Sequence, residues 1–469
     1  MKTIVLNVRV VDEEADMPGA VIIEDGLITG LIPQDGTARL DALACGAAAD
    51  AAHGAARIID GRHYALPGGR LPVLMPALVD LHAHFRDPGF PEKETLESAS
   101  LAAVAGGYGT VVCMANTRPV IDTPEAAALL RDRARSLGLI DLYPVLALTR
   151  NMEGRELSAI TTLRRGAPSA ASPYIPRMLS EDGKDLADDT LFRAAFAEAR
   201  RLGIPVSCHC DAGGAEAEAA RKAGKPREVW SRIEENTATR RAIKLGQKEG
   251  CHVHIAHVST REALDMIRRA KGEGAVSGPQ EPSPQPSPGA DLSAGFRLTC
   301  EAAPHHIALT EADARSLGAE SLGRVNPPLR TAEDRRAIVA GVLDGTVDAL
   351  ATDHAPHTGA DKAGGMPGFT GLETSFAVCR TELVREGGLT LSRLSSLMSA
   401  KPARLLGLTD RGRITPGLRA DLILTDPGAS WKPGPESFRS RGKNSPFIGR
   451  DLSGKILLTI HQGRIVFEG

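Results

Sequence analysis

The middle of the chain alternates between short apolar runs and amphipathic stretches. Eight runs have the length of strands, and they are PVLMPALVDLHAHF, GTVVCMAN, DLYPVLALT, YIPRMLSEDG, IPVSCHCD, HVHIAHVS, FRLTCEAAPHH and VDALATDHAP. Most are separated by stretches such as DDTLFRAAFAEARRLG, in which apolar residues recur every three or four positions and a glycine follows. Eight strand–helix units predict a closed parallel (β/α)8 barrel, or TIM barrel, with a doubly wound sheet as the alternative.

The two ends of the chain share a different pattern. Short alternating strands are predicted in TIVLNVRVVD and AVIIEDGLITGLI near the start, and in RITPGLRADLILTDP and KILLTIHQGRIVFEG near the end. An Ala-rich patch at about 40–56 interrupts the first set as a loop or short helix. We therefore expect a small β-sandwich domain built from both termini, 1–71 and 412–469, around a barrel over 72–411.

One segment breaks the rhythm of the barrel. Residues 273–295, EGAVSGPQEPSPQPSPGADLSAG, are rich in proline, serine and glycine. Such a composition buries too little apolar surface to offset the entropy of ordering. The segment is predicted to be a flexible surface insertion before the seventh barrel strand.

The amino-acid composition excludes several classes of binding partner. Aromatic residues make up only 3% and the net charge is -2, so neither stacking platforms nor a basic surface for nucleic acid is indicated. We expect no membrane span and no export signal, and the seven cysteines include only a lone C-x-C at Cys208 and Cys210. We expect a cytoplasmic protein with reduced thiols that acts on a small molecule, without nucleic acid or membrane partners.

The predicted strand ends carry side chains that bind metals. His82 and His84 end the first strand and point the same way, because residues two apart share a face. The ends of strands two, four, five, six and eight add Asn116, Glu181, Asp182, His209, His257 and Asp353. Barrel chemistry lies at these ends, and imidazole and carboxylate suit zinc. The pattern predicts two zinc ions bridged by a carboxylate, with Asp182 favoured over Glu181 and over a carboxylated Lys184.

For two other polar residues near these strand ends, the sequence predicts a role less specifically. Arg86 follows the second histidine by two residues and is expected to bind a substrate anion rather than lie on the surface as an unpaired cation. Asn326, in VNPPLR, is either a turn residue or a substrate contact.

Two further histidine pairs have structural interpretations. His252 and His254 begin the sixth strand, at the opposite end of the barrel, so packing or surface roles are expected. His305 and His306 follow the seventh strand in PHH, where a supporting or structural role is favoured over metal binding.

At these residues the chain resembles the dihydroorotases of the amidohydrolase superfamily, in the long bacterial class called type I. The matching runs include LVDLHAHFRDPG, ANTRPVIDTPE, AHVSTREA, NPPLRTAEDR, DGTVDALATDHAPHT and GRITPGLRADLIL, in the expected order. Several occur across cyclic amidohydrolases, whereas HxHxRDPG with NTRP and ATDHAPH is more specific. The chain departs from the usual pattern at MAN, SEDG and CEAAPHH, and none of these changes removes a predicted ligand.

The resemblance implies a role for each matching residue. It implies six metal ligands, which are His82, His84, Asp182, His209, His257 and Asp353. It implies six substrate contacts, which are Arg86, Asn116, Asn326, His357, Pro367 and Gly368, the last two through their backbone. Asp182 would bridge two zinc ions (Zn²⁺), and Asp353 would also serve as general base and then acid.

The implied activity is the reversible cyclisation of N-carbamoyl-L-aspartate to dihydroorotate, a step of pyrimidine biosynthesis. One alternative is another cyclic amidohydrolase, such as an allantoinase or a dihydropyrimidinase-like enzyme, which usually bridges its metals with a carboxylated lysine. The other is a non-catalytic homologue that serves as a structural partner of aspartate transcarbamoylase. A homodimer is also expected, and a complex of the active enzyme with aspartate transcarbamoylase stays open.

Overall fold

The computed structural model describes residues 2–34, 56–64, 66–166, 173–212, 214–273 and 295–469. The Ala-rich patch and the predicted insertion at 273–295 lie almost entirely outside these residues.

Sixteen strands lie in the described part of the chain and fall into three sheets. They are β1 (Lys2–Val11), β2 (Asp16–Glu24), β3 (Leu27–Pro33), β4 (Ala56–Asp60), β5 (Val73–Pro76), β6 (Leu78–Ala83), β7 (Tyr108–Cys113), β8 (Asp141–Pro144), β9 (Leu179–Ser180), β10 (Val206–Cys208), β11 (His252–Ile255), β12 (Arg297–Ala302), β13 (Ala349–Leu350), β14 (Leu422–Trp431), β15 (Leu452–His461) and β16 (Arg464–Glu468).

The strands from both ends of the chain form one eight-stranded sheet in the order β16-β15-β14-β5-β1-β2-β3, with β4 also paired to β1. The first half of β1 bonds to β4 and its second half to β5, so the sheet divides along this strand. Apolar side chains from β1 to β5, β14 and β15 then meet in a single core. The prediction of a β-domain built from both termini is confirmed.

The apolar run at 72–85 belongs to both parts of the molecule. Its first strand, β5, pairs with β14 in the terminal sheet, and its second, β6, opens the barrel. Ala77 lies between the two strands, and its N–H donates to the carbonyl of Asp421, just before β14, at 2.8 Å. The chain thus passes from the terminal sheet into the barrel within one residue.

The barrel consists of eight parallel strands. A three-stranded sheet, β6-β7-β8, and a five-stranded sheet, β9 to β13, stand side by side. Single bridges join them at both edges, Ala83 to His354 on one side and Leu146 to Leu179 on the other. The predicted (β/α)8 architecture is confirmed, and its two seams are bridges rather than continuous ladders.

Thirteen α-helices lie in the described residues, and most of the longer ones connect successive barrel strands. They are Leu96–Ala105, Pro124–Leu137, Asp189–Leu202, Gly214–Lys222, Arg227–Glu249, Arg261–Glu273, Pro304–Ala308, Glu311–Leu317, Ala332–Asp344, Gly359–Ala363, Ser375–Cys379, Leu391–Ser395 and Lys401–Leu405. None of the helices in these parts of the chain is both long and apolar enough to cross a bilayer.

Local sequence signals set the helix limits. Helix Asp189–Leu202 begins where the Asp188 carboxylate accepts from two backbone N–H groups, and it ends at Gly203, whose φ of 71° is left-handed. Phe192 and Phe196 lie one turn apart on its buried face and pack against the barrel. Helices of this kind fix the strand ends that carry the candidate site.

Candidate metal centre

Two buried histidines from β6 face a single carboxylate. His82 Nε2 lies 3.2 Å from Asp182 Oδ1, and His84 Nε2 lies 3.5 Å from Asp182 Oδ2. The histidines share one face of the strand, as their spacing predicted, and Asp182 follows β9 across the barrel mouth. These three residues offer ligand atoms that all lie within 4.8 Å of one another.

A second group shares the same carboxylate. His209 follows β10 and His257 follows β11, and their Nδ1 and Nε2 atoms are 2.9 Å apart. Asp182 Oδ1 lies 3.3 Å from His209 Nδ1 and 4.0 Å from His257 Nε2. Asp182 therefore stands between two histidine pairs, in the position that a bridging ligand would take.

Asp353 closes the centre on the side of β6. Its Oδ1 atom lies 3.4 Å from His84 Nε2 and 3.7 Å from His82 Nε2. The residue follows β13 with a φ of 48°, and His257 and Arg86 also have positive φ. Left-handed backbone costs about 1–3 kcal/mol at such residues, so the surrounding loops hold them in place.

The donor atoms fit a divalent cation. Among the described residues, His82 Nε2 and Asp182 Oδ1 are buried and have no hydrogen-bond partner. Buried polar atoms without partners cost about 1–3 kcal/mol each, so a ligand is expected where they meet. Imidazole nitrogen and carboxylate oxygen together form the donor set that zinc accepts.

The charges of the centre also suit a cation. Burial alone would raise the pKa of Asp182, but the neighbouring His82 and His209 outweigh it and hold that pKa well below its usual range. The pKa of Asp353 is likewise lowered, because its contacts with His84 and His82 outweigh burial. Both carboxylates are therefore ionised at neutral pH, as metal ligands must be.

Asn116, which follows β7, lies against the metal ligands. Its Oδ1 is 3.0 Å from His84 Nδ1, and its Nδ2 donates to Asp182 Oδ2 at 3.2 Å. The amide oxygen accepts the Nδ1 proton of His84, which leaves His84 Nε2 free to bind an ion. The resemblance implies a substrate contact for Asn116, and the structure adds hydrogen-bond contacts with two predicted ligands, His84 and Asp182.

Glu301 is a buried carboxylate that the sequence analysis missed. It lies on β12, 3.0 Å from His82 Nδ1 through one oxygen and 3.0 Å from His254 Nε2 through the other. Burial would raise its pKa, but the hydrogen bonds from His254 and His82 prevail and lower it to about 2. A signal was available, since Glu301 is a charged residue within the apolar run FRLTCEAAPHH.

Arg86 and His357 lie together beside the centre. Arg86 Nη2 is 3.3 Å from His357 Nε2, and Arg86 Nε donates to the carbonyl of Pro356 at 3.4 Å. Burial lowers the pKa of Arg86 to about 10, so it stays cationic. Burial and the Arg86 charge lower the pKa of His357 to about 3, so this imidazole is neutral.

The segment at Pro367 and Gly368 is held from several sides. The carbonyl of Pro367 lies 2.9 Å from His357 Nε2. The carbonyl of Gly368 accepts from Lys362 Nζ at 2.9 Å and from Asn444 Nδ2 at 3.0 Å. Asn444 comes from the segment between β14 and β15, far along the chain, and nothing in its local sequence indicated this role.

Asn326 reaches the second histidine pair. Its Nδ2 atom is 3.1 Å from His209 Nε2, and its Oδ1 accepts from Arg227 Nη2 at 3.2 Å. Asp211, also absent from the predicted set, lies 3.0 Å from the same His209 nitrogen. Asn326 is thus at the rim, in contact with His209, a predicted metal ligand.

Glu181 and Lys184, the alternative candidates for the bridging ligand, make contacts away from the histidines. Glu181 accepts from the backbone N–H groups of Leu148 and Thr149 at 2.9 and 3.0 Å. Lys184 donates its Nζ to the carbonyl of Met152 at 2.8 Å. Neither side chain is directed at the histidines, so Asp182 is the acid placed to bridge.

The PHH histidines support the site from outside the two ligand groups. His305 Nε2 lies 4.0 Å from Asp353 Oδ2, and its ring packs on His306 with centroids 4.4 Å apart. His306 Nε2 is 3.1 Å from the carbonyl of Pro327. Neither histidine belongs to the two groups of ligand atoms found among the described residues, and its supporting role stays a prediction.

Comparison with known proteins places the chain in a family. The Amidohydrolase family profile matches residues 73–466. A dihydroorotase from Clostridium botulinum (strain Eklund 17B / Type B) is 35% identical over 468 residues, which cover 100% of both chains. A dihydroorotase from Syntrophus aciditrophicus (strain SB) is 36% identical over 84% of this chain and 87% of its own. The chain belongs to the dihydroorotases of the amidohydrolase family.

The fold of this amidohydrolase is shared by solved structures. The L-hydantoinase (dihydropyrimidinase) from Arthrobacter aurescens superposes with a TM-score of 0.76 at 25% identity, covering 99% of this chain and 96% of its own. The structural similarity therefore extends over the terminal sheet as well as the barrel. The protein is a hydrolase with His/Asp groups able to hold metal at the mouth of its barrel.

Proposed function

We propose that this protein is a zinc-dependent dihydroorotase that interconverts N-carbamoyl-L-aspartate with (S)-dihydroorotate and water, the third step of de novo pyrimidine biosynthesis. The observation that carries the proposal is the pair of buried histidine groups that share Asp182. They occur in a chain 35% identical to a dihydroorotase over its full length.

In this proposal each of the two groups would hold one zinc ion. His82, His84 and Asp353 would bind the first ion, His209 and His257 would bind the second, and Asp182 would serve both. When bound, such a pair polarises a carbonyl oxygen and lowers the pKa of a water molecule to about 7.

Asp353 is the proton carrier. In the hydrolytic direction it accepts a proton from the water that attacks the ring amide carbon, and it delivers that proton to the ring nitrogen as the C–N bond breaks. In the biosynthetic direction the ureido nitrogen attacks the carbon of the protonated side-chain carboxyl group, and Asp353 carries the proton lost by that nitrogen to the departing hydroxyl, which leaves as water. Its closeness to both β6 histidines, 3.4 and 3.7 Å, supports this role.

Arg86 binds the carboxylate of the substrate that does not react. Its planar guanidinium can pair with a carboxylate at two points, and its burial strengthens the attraction. Asn116, Asn326 and His357 complete the polar contacts, and the backbone at 367–368 borders the ring. A substrate without a ring carboxylate would leave the half-buried Arg86 guanidinium without a counter-ion.

This requirement separates the proposal from a hydantoinase or allantoinase function. Hydantoin carries no carboxylate for Arg86. Lys184, the residue that a carboxylated-lysine bridge would need, donates to the Met152 carbonyl instead. The first point favours a ring that carries a carboxylate, and the second disfavours a carboxylated-lysine bridge.

The test is turnover by the zinc-loaded protein. Dihydroorotate should be hydrolysed, while hydantoin and allantoin should not be turned over measurably. In Asp353→Asn, kcat should fall by about 10²–10⁴-fold while zinc stays bound, because the proton carrier is lost. The matched control is Asp344→Asn, at the end of helix Ala332–Asp344, which should keep wild-type kcat. Preferential turnover of hydantoin, or full activity of Asp353→Asn, would refute the proposal.

A further inference from the structure

A row of polar side chains runs from the metal centre down the inside of the barrel. It leads from His82 to Glu301 at 3.0 Å, and from Glu301 to His254 at 3.0 Å. Thr299 Oγ1 then lies 2.9 Å from His254 Nδ1 and 2.9 Å from His252 Nε2. His82, Glu301 and His254 are buried, and the row ends at half-buried His252 at the start of β11.

The carboxylate in this row fixes where two of the ring protons lie. An ionised carboxylate only accepts, so His82 Nδ1 and His254 Nε2 must both donate to Glu301. The other nitrogen of His254, Nδ1, faces the hydroxyl of Thr299 at 2.9 Å. The same hydroxyl oxygen lies 2.9 Å from His252 Nε2.

This arrangement affects the metal centre through His82, the first residue of the row. With its proton on Nδ1, His82 keeps a lone pair on Nε2, the nitrogen that lies 3.2 Å from Asp182. Asp80 shares the face of β6 but is engaged by Thr352, whose N–H and hydroxyl donate to it at 2.9 and 2.5 Å. Glu301 is thus the carboxylate that contacts the His82 ring from behind.

We propose that Glu301 is a positioning residue that holds His82 in the tautomer needed for metal binding, with His254 fixing its second carboxylate oxygen. The inference rests on the proposed metal function and deepens it. Partners of this kind orient the ligand and raise its basicity, and their loss typically costs 10–100-fold in metal affinity.

The first experiment measures binding of zinc alone by competition with a chromophoric chelator. Glu301→Gln has the same size, but its amide accepts from one histidine and turns N–H groups towards the other. We expect at least one zinc-binding step to weaken by about 10–100-fold. Thr299→Val is the matched control, because it removes a hydroxyl from the same strand face and leaves the Glu301–His82 contact in place. Its zinc affinity should match that of the wild type.

Equal zinc affinity in Glu301→Gln and wild type would overturn the inference, and so would an equal loss in both variants. If the wild-type protein binds no zinc, the proposed function itself fails. If wild type binds zinc and Glu301→Gln binds it equally well, only the positioning role fails.

A second measurement needs no variant at Glu301 and so does not depend on its folding. Long-range ¹H–¹⁵N spectra of ¹⁵N-histidine-labelled wild type report which ring nitrogen carries the proton. We expect His254 to be protonated on Nε2, with its signal assigned by its absence in His254→Asn, and zinc-loaded His82 to be protonated on Nδ1. Absence of a proton on Nε2 of His254, in metal-free or zinc-loaded protein, would overturn the inference.

Discussion

Each β6 histidine has one ring nitrogen held by a neighbour and one facing Asp182. Asn116 lies behind His84 and Glu301 lies behind His82, each at 3.0 Å. A ligand held in this way needs no reorientation when an ion binds, which favours tight binding. Single side chains outside the ligand set therefore contribute directly to the proposed chemistry.

Gly368 provides a test of the substrate rim at the scale of one residue. Its φ is 138°, and a Cβ atom there would lie 2.6 Å from the Cβ of Ala355, two residues after Asp353. In Gly368→Ala the segment must move, which disturbs the Pro367 carbonyl and the His357 contact. We expect kcat/KM for dihydroorotate to fall at least tenfold, equivalent to about 1.4 kcal/mol.

The control for this variant is Gly359→Ala. A Cβ at Gly359 meets nothing within 4 Å, so the same substitution should leave kcat/KM at the wild-type value. Steady-state kinetics of both variants with dihydroorotate give the two values of kcat/KM to be compared. Wild-type kinetics in Gly368→Ala would show that the placement of this segment does not matter for the reaction.

The six predicted ligands could be found from sequence because each stands at the end of an apolar run. The structure brings all six to one rim. Glu301 was missed because it lies within a run, where its inward direction depends on strand register. Asn444 was missed because it acts through an irregular segment whose path no local pattern describes.

At the scale of elements, the strands and their order were predictable and their limits were not. The run at 72–85 reads as one strand, yet the structure divides it into β5 and β6, because β14 pairs with its first half. That pairing joins segments more than 300 residues apart and leaves no local signal. The seams of the barrel, each a single bridge, likewise depend on how the whole ring closes.

Charged residues join the terminal sheet to the barrel just before β14. The Asp421 carboxylate lies 3.2 Å from His461 Nδ1 on β15 and 3.0 Å from Arg419 Nη2. Burial would raise the pKa of Asp421, but the contact with His461 and the arginine charges lower it to about 2. The ionised carboxylate therefore stabilises the folded state.

Because the folded pKa is depressed, this stabilisation is complete above the unfolded pKa near 4 and is lost as the pH falls towards 2. Asp421→Asn should lower the free energy of unfolding by about 2 kcal/mol at pH 7, and its difference from wild type should narrow as the pH falls below about 4. Denaturant unfolding of both proteins from pH 7 down to pH 2 measures this difference in the free energy of unfolding.

A suitable control is Asp451→Asn, since Asp451 forms an exposed ion pair with Lys432 at 3.4 Å. Exposed pairs contribute little, so this variant should unfold like wild type at every pH. A constant difference between Asp421→Asn and wild type from pH 7 to pH 2 would contradict the assigned pKa.

At the scale of the whole molecule, the barrel and the terminal sheet are joined by shared chain segments and contacts. Both ends of the chain return to the same sheet, and Asn444, from the C-terminal part, reaches the rim of the proposed active site. The terminal parts therefore belong to the machinery that shapes the substrate rim. Removing them should disturb substrate binding as well as folding.

The central claim is that ligands from five different strand ends hold two ions at one rim. Anomalous diffraction at the zinc edge, from crystals of the zinc-loaded protein, tests it most directly. We predict two peaks about 3.5–4 Å apart. One should lie beside His82 and His84 and the other between His209 and His257, with Asp182 touching both. Peaks elsewhere in the molecule, or none among these side chains, would contradict the account.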